Sequence, residues 1–121
     1  MISAHLEWPT HPFQAVQIGA LEKLASHYPT DRLIIAGDFN LAPWSFTLRR
    51  LDQRLGLERR DRAMFSWPAR LSPKGRLTWP LPVLPIDHIY AGRAWRTVSV
   101  THGPCLGSDH YPTVIRLALT D

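Results

Sequence analysis

The chain has 121 residues with one cysteine, a net charge of +4, 45% hydrophobic residues and 20% charged ones. That length holds one domain with a modest core and excludes two, the composition excludes a disordered chain, and the lone Cys105 excludes an internal disulfide or a thiolate zinc cage. No run of about 18 apolar residues occurs, and the opening MISAHLEWPTHP lacks the basic-then-apolar order of a signal peptide, so the cytoplasm is the default expectation.

In chain order, residues 2–6 (ISAHL) read as a short strand. Pro9 and Pro12 separate it from a helix expected over 13–28, where Phe13, Ala20, Leu21, Leu24 and Tyr28 recur near the helical period. Pro29 and Asp31 turn the chain into 33–36, a run that is apolar throughout, as in a sheet covered on both faces. Ser45 is placed to cap a second helix with Leu48, Leu51 and Leu55 on one stripe, closed by Gly56. Residues 57–85 read as irregular, and the three prolines of TWPLPVLP exclude a central strand. Strands are expected at 86–90, 97–101 and 113–119. Strand and helix alternate first and strands then follow strands, which points to a mixed α/β or α+β layer.

The residues capable of chemistry gather at the expected strand ends. His5 lies on the first strand, and Asp38 and Asn40 lie just past the second. Asp87 and His88 interrupt PIDHIY, and Asp109 and His110 sit in GSDHYP before the last strand. Ends of similarly directed strands can converge on one crevice although far apart in sequence. Oxygen-rich donors of this kind suit Mg²⁺ or Mn²⁺ rather than a structural zinc, and an Asp–imidazole pair orients a histidine and supports its protonated form. Local alternatives stand beside that reading. Asp38 and Asn40 also fit an Asx turn, and GSDH fits a loop capped by Ser108 or Asp109, without the G-x-S-x-G frame of a nucleophile elbow. Asp87, flanked by Ile86 and Ile89, needs a specific partner to offset desolvation. His88 follows Asp87 on a strand, points to the opposite face and is left out of the site. His11, His27 and His102 read as structural or surface residues. Cys105 reads as a small packed residue.

Taken together and in this order, the motifs resemble the endonuclease/exonuclease/phosphatase superfamily, the fold of deoxyribonuclease I. The resemblance rests on HL…P at His5 to Pro9, the Gln17-containing helix, GDFN at 37–40 with PWS after it, LTWP at 77–80, PIDHIY at 85–90 and GSDHYP at 107–112. It implies a Mg²⁺- or Mn²⁺-dependent hydrolase of phosphodiesters or phosphomonoesters. Asp38 would hold or activate the attacking water, and Asn40 would orient it and contact phosphate. His110 would stabilise the phosphate charge with Asp87 supporting its imidazole, and His5 would be a second phosphate-facing imidazole. Asp109, with Asp38, would serve the metal.

The resemblance covers a C-terminal half of a four-layer α/β/β/α sandwich, residues 1–121 forming a mixed sheet with helices on one face. The family's metal-binding Glu and an Asn belong to the other half, and no acidic residue precedes His5. A half-sandwich leaves one apolar sheet face without its partner, so a poorly stable monomer, a self-paired dimer or completion by an N-terminal half is expected. Two other functions stay open: a non-catalytic remnant, and a basic nucleic-acid-binding module using arginines 49, 50, 54, 59, 60, 62, 70 and 76. Those arginines fit a solvated helix face and loop equally well.

Overall fold

The computed structural model describes residues 1–70 and 78–120; Arg76 and Leu77 of the LTWP motif lie outside the described residues. The elements are β1 (Ile2–His5), α1 (Gln14–Ala25), β2 (Ile34–Asp38), α2 (Phe46–Leu55), β3 (Glu58–Arg59), β4 (Asp87–Ala91), β5 (Trp95–His102) and β6 (Thr113–Leu119). Four strands form a mixed sheet in the order β1-β2-β4-β3, with β1 parallel to β2 and β4 antiparallel to both its neighbours. β5 and β6 form a separate antiparallel pair, irregular between Thr97 and Ser99. This is the mixed α+β architecture that the alternation of elements predicted. Among the described residues no helix is long and apolar enough to cross a membrane.

Both helices cover one face of the larger sheet. The register aligns Ile2, Ile35 and Tyr90 across β1, β2 and β4. Onto that row pack Ile18, Leu21 and Ala25 of α1, Leu48, Leu51 and Leu55 of α2, and the fully buried Phe39. Removing these side chains from water is the main stabilising term, worth about 1.5–3 kcal/mol for each large one. α2 forms as its sequence dictates. The Ser45 hydroxyl accepts from the Leu48 N–H at 3.1 Å, and Gly56 closes the helix in the left-handed conformation at φ 62°.

α1 departs from expectation. It is shorter than 13–28, and its inward stripe is Gln14, Ile18, Leu21 and Ala25, whereas Phe13, Leu24 and Tyr28 are exposed. The stripe steps by four, three and four residues, which holds one helical face; Leu24 falls off it, and Phe13 and Tyr28 lie beyond the helix. Gln14 can be buried because its Nε2 donates to the Glu7 carbonyl at 2.6 Å, while the Glu7 N–H donates to Gln17 Oε1 at 2.7 Å. These bonds fasten the start of α1 to the chain leaving β1.

The remaining strands lie within a residue or two of their expected places, with three adjustments. Asp38 is the last residue of β2 rather than just past it, β4 is shifted by one residue, and β5 begins two residues earlier. Within 57–85 the described residues are irregular apart from the two-residue β3 and isolated bridges Trp67–Leu84 and Arg70–Thr78. Val98, Val114 and Leu119 of the β5–β6 pair remain about half exposed.

Candidate active site

Strand pairing assembles the cleft. The parallel register sets His5 opposite Asp38, and the antiparallel register sets Asp38 opposite Asp87. One cross-strand row therefore presents an imidazole and two carboxylates at a common sheet end. The loop before β6 adds His110. Its Nδ1 lies 2.8 Å from Asp87 Oδ2 and its Nε2 lies 3.7 Å from Asp38 Oδ2. His5 Nε2 stands 3.6 Å from the same Asp38 oxygen, although its side chain is 80% exposed. Backbone bonds hold the loop in place: the Tyr111 N–H donates to the Ser66 carbonyl at 2.8 Å, and the Ala69 N–H donates to the Asp109 carbonyl at 2.6 Å.

The turn after β2 does two things at once. Asp38 Oδ1 accepts from the Asn40 N–H at 2.9 Å, which is the Asx turn anticipated as the local alternative, while Oδ2 faces the cleft. Asn40 sits at φ 50° and is buried; its Nδ2 donates to the Leu6 carbonyl at 2.7 Å, and its Oδ1 has no hydrogen-bond partner. A buried orphan acceptor is costly and uncommon, and here it lies at the edge of the cleft. Gly37, at φ 153°, is required because a Cβ there would overlap the Ala4 carbonyl. The absent side chain lets β1 and β2 close beside Asp38.

Electrostatics follow from this packing. Burial pushes the Asp38 carboxyl up from its ordinary range, against the Asn40 N–H that lowers it, with the nearby Asp87 charge also raising it. The hydrogen bond that His110 Nδ1–H donates to the Asp87 carboxylate pushes the imidazole up, more than burial lowers it. His110 therefore favours its charged form, with Nε2 turned to the cleft and free of hydrogen-bonded partners.

The cleft has a volume of about 520 Å³ and is lined by His5, Trp8, Asp38, Asn40, Trp67, Asp87, Ser108, Asp109 and His110. The structure thus brings together every residue singled out from the sequence for the site. Trp8, Trp67 and Ser108 were missed as lining groups. Trp8 and Trp67 pack edge to face at 5.6 Å, and Trp67 Nε1 donates to Asp109 Oδ2 at 3.4 Å. No sequence spacing signals that pairing.

His88 lies on the other face of β4, as strand alternation requires, and is fully buried. Its Nδ1 meets Asp61 Oδ2 at 3.1 Å and its Nε2 meets the Leu41 carbonyl at 2.7 Å. Both ring nitrogens are thus engaged away from the cleft. Asp61 Oδ1 in turn accepts from the Ile89 N–H at 3.1 Å. Burial raises the Asp61 carboxyl, but the bond and charge of His88 outweigh it and leave that carboxyl below the usual range.

The donor chemistry of the cleft suits a hard cation. Asp38 Oδ2, the Asp109 carboxylate and the orphan Asn40 Oδ1 are oxygens, and Mg²⁺ is commonly held by one or two carboxylates with water filling the rest of its octahedron. Among the described residues no group of three or more His, Cys, Asp or Glu side chains is placed to hold a metal ion.

The chain matches the family described as "Endonuclease/Exonuclease/phosphatase family" over residues 2–110. It belongs to the endonuclease/exonuclease/phosphatase family. No curated protein matches it. Two solved structures share the fold. One is the endonuclease/exonuclease/phosphatase from Beutenbergia cavernae DSM 12333, with a TM-score of 0.62 and 21% identity over 95% of this chain. The other is a functionally unknown conserved protein from Enterococcus faecalis V583, with a TM-score of 0.63 and 16% identity over 98% of this chain. The match spans 34% of the first protein and 49% of the second. At such identities the likeness speaks for the fold alone. Family membership supports phosphoesterase- or nuclease-type chemistry.

Proposed function

We propose that this endonuclease/exonuclease/phosphatase chain supplies the water- and phosphate-handling groups of a Mg²⁺- or Mn²⁺-dependent phosphoester hydrolase. The observation that carries the reading is His110 held between Asp87 and Asp38, with Nε2 open to the cleft. In this role the His110 imidazolium donates from Nε2 to a phosphoryl oxygen and stabilises the charge that grows there, while Asp87 fixes the ring through Nδ1. His5, exposed at the rim, adds a second imidazole contact to the phosphate. Asp38, with its raised carboxyl, accepts through Oδ2 the proton of the water that attacks phosphorus as the bond to the leaving oxygen breaks. Asn40 offers its unpartnered Oδ1 to that water's other hydrogen.

A divalent ion would supply charge neutralisation when bound. Asp109 and Asp38 are the oxygen ligands this chain contributes. The remaining ligands are proposed to come from a further segment, for which the longer solved relatives have room. That segment, as an N-terminal half, would also cover the exposed apolar residues of β5 and β6.

The test is hydrolysis of a chromogenic phosphodiester with Mg²⁺, with EDTA and Asp38→Ala as controls, alongside titration of the chain with inorganic phosphate. Turnover that disappears in both controls supports the hydrolase. Phosphate binding lost in His110→Ala without turnover supports the phosphate-handling half alone. Absence of both turnover and binding would establish the non-catalytic remnant instead.

A further inference from the structure

A second groove lies at the other end of β4. That strand starts at the cleft with Asp87 and ends at Ala91, opposite Glu58 of β3. Arg59, Arg60, Arg62, Arg93 and Arg96 converge there beside Trp95 on a groove of about 480 Å³. Glu58 is the one carboxylate among the described lining residues, and it is engaged by Arg60 Nη1 at 2.8 Å. Asp52, outside the groove, lies 3.0 Å from Arg59 Nε. Among the described residues no carboxylate comes within ion-pair reach of Arg62, Arg93 or Arg96.

Two further observations mark the groove as built for something beyond solvent. Arg62 and Ala63 both hold positive φ, at 53° and 52°, a region that side chains with a Cβ rarely occupy. Asp61 keeps them there by accepting from the Ala63 N–H at 3.2 Å. Beneath them Arg60 Nε is buried without a hydrogen-bond partner. Arg62, on a strained turn, thus joins Arg93 and Arg96 in a groove with more guanidinium charge than its one carboxylate balances, which favours an incoming anion.

We propose that this groove binds a compact anion carrying two or more phosphate groups, of the di- or triphosphate class. Guanidinium forks match phosphate oxygens two at a time, and the volume lies in the range of small-molecule sites, about 300–1,000 Å³. A nucleic-acid backbone would need a longer continuous stripe. Arg50 and Arg54 border separate hollows on α2, and Arg70 lies near Gly107 in the loop that carries His110, so these three do not extend the groove. The proposal is independent of the hydrolase reading, because the groove shares no residue with the cleft.

Calorimetric titration of the chain with sodium tripolyphosphate at low ionic strength tests it. Arg93→Gln and Arg96→Gln, both at exposed positions, are expected to weaken binding about tenfold each, with an unchanged far-UV spectrum. Because the cleft is itself proposed to hold phosphate, the same titrations are made in the His110→Ala background, where the arginine-dependent binding is expected to persist. Parallel titrations use a single-stranded oligonucleotide and vesicles containing a phosphoinositide. Binding that survives both arginine changes in that background, or arginine-dependent binding that is lost in it, overturns the assignment. So does an oligonucleotide or a vesicle that binds more tightly than tripolyphosphate through the same arginines, since the occupant would then be a polymer or a membrane. Absence of any tripolyphosphate binding overturns it as well.

Discussion

Asp87 and His88 are neighbours on β4, yet their side chains leave the strand on opposite faces and join two Asp–His pairs of opposite character. On the cleft side His110 bonds Asp87 through Nδ1 alone, and both side chains stay about one-fifth exposed. On the helix side His88 is sealed between Asp61 and the Leu41 carbonyl with no exposure at all. The same two residue types therefore give a reactive pair where one nitrogen is left open and a structural pair where both are saturated. Saturation, rather than composition, separates a site from a brace. The buried pair also steadies the site indirectly, since Leu41 follows Asn40 at the turn that carries Asp38.

Exchanging the fates of the two pairs gives the sharpest tests. The largest expected effect is on catalysis: where the phosphodiester assay shows turnover, His110→Ala lowers it by about 10²–10³-fold, as for loss of one oxyanion donor, with little change in the urea midpoint. Next comes stability. Asp61→Ala leaves His88 Nδ1 and the Ile89 N–H buried without their partner and is expected to cost about 1–3 kcal/mol for each. Asp87→Ala, in the partly exposed pair, should cost about 1 kcal/mol or less. Equal losses in urea denaturation would erase the distinction between the pairs.

Acid and base separate them further. His110 has a raised folded-state value, so its contribution is fully present below the ordinary 6.5 and lost as pH rises through the raised value. Asp61 has a lowered one, so its contribution is present above the ordinary 3.8 and lost as pH falls through the lowered value. Histidine-detected NMR should place the His110 titration above 6.5 and bring it down in Asp87→Asn. The smallest effect serves as a control. Ser45→Ala removes a helix cap remote from both pairs and should cost about 1 kcal/mol in denaturation, without moving either titration.

Much of the fold was legible because its signals are local. The α2 stripe of Leu48, Leu51 and Leu55 between a Ser cap and a Gly stop uses only neighbouring residues, and it formed as read. The inward face of α1 was misread because Gln14 is a polar residue made buriable by Glu7, which lies outside the helix. The cleft was legible in outline, since polar residues at strand ends and the order of the motifs named His5, Asp38, Asn40, Asp87, Asp109 and His110. What local reasoning set up as rivals at Asp38, a turn or a site, proved compatible, because a carboxylate has two oxygens and each has its own task.

The sequence by itself determined the element types, the capping of α2 and which residues had chemistry to offer, because these depend on spacing along the chain. Only the tertiary structure decided that Asp61 closes on His88, that Trp8 meets Trp67 and that arginines scattered from 59 to 96 share one groove. Those partners are far apart in sequence, and strand pairing and register, set by burial of the shared core, bring them together.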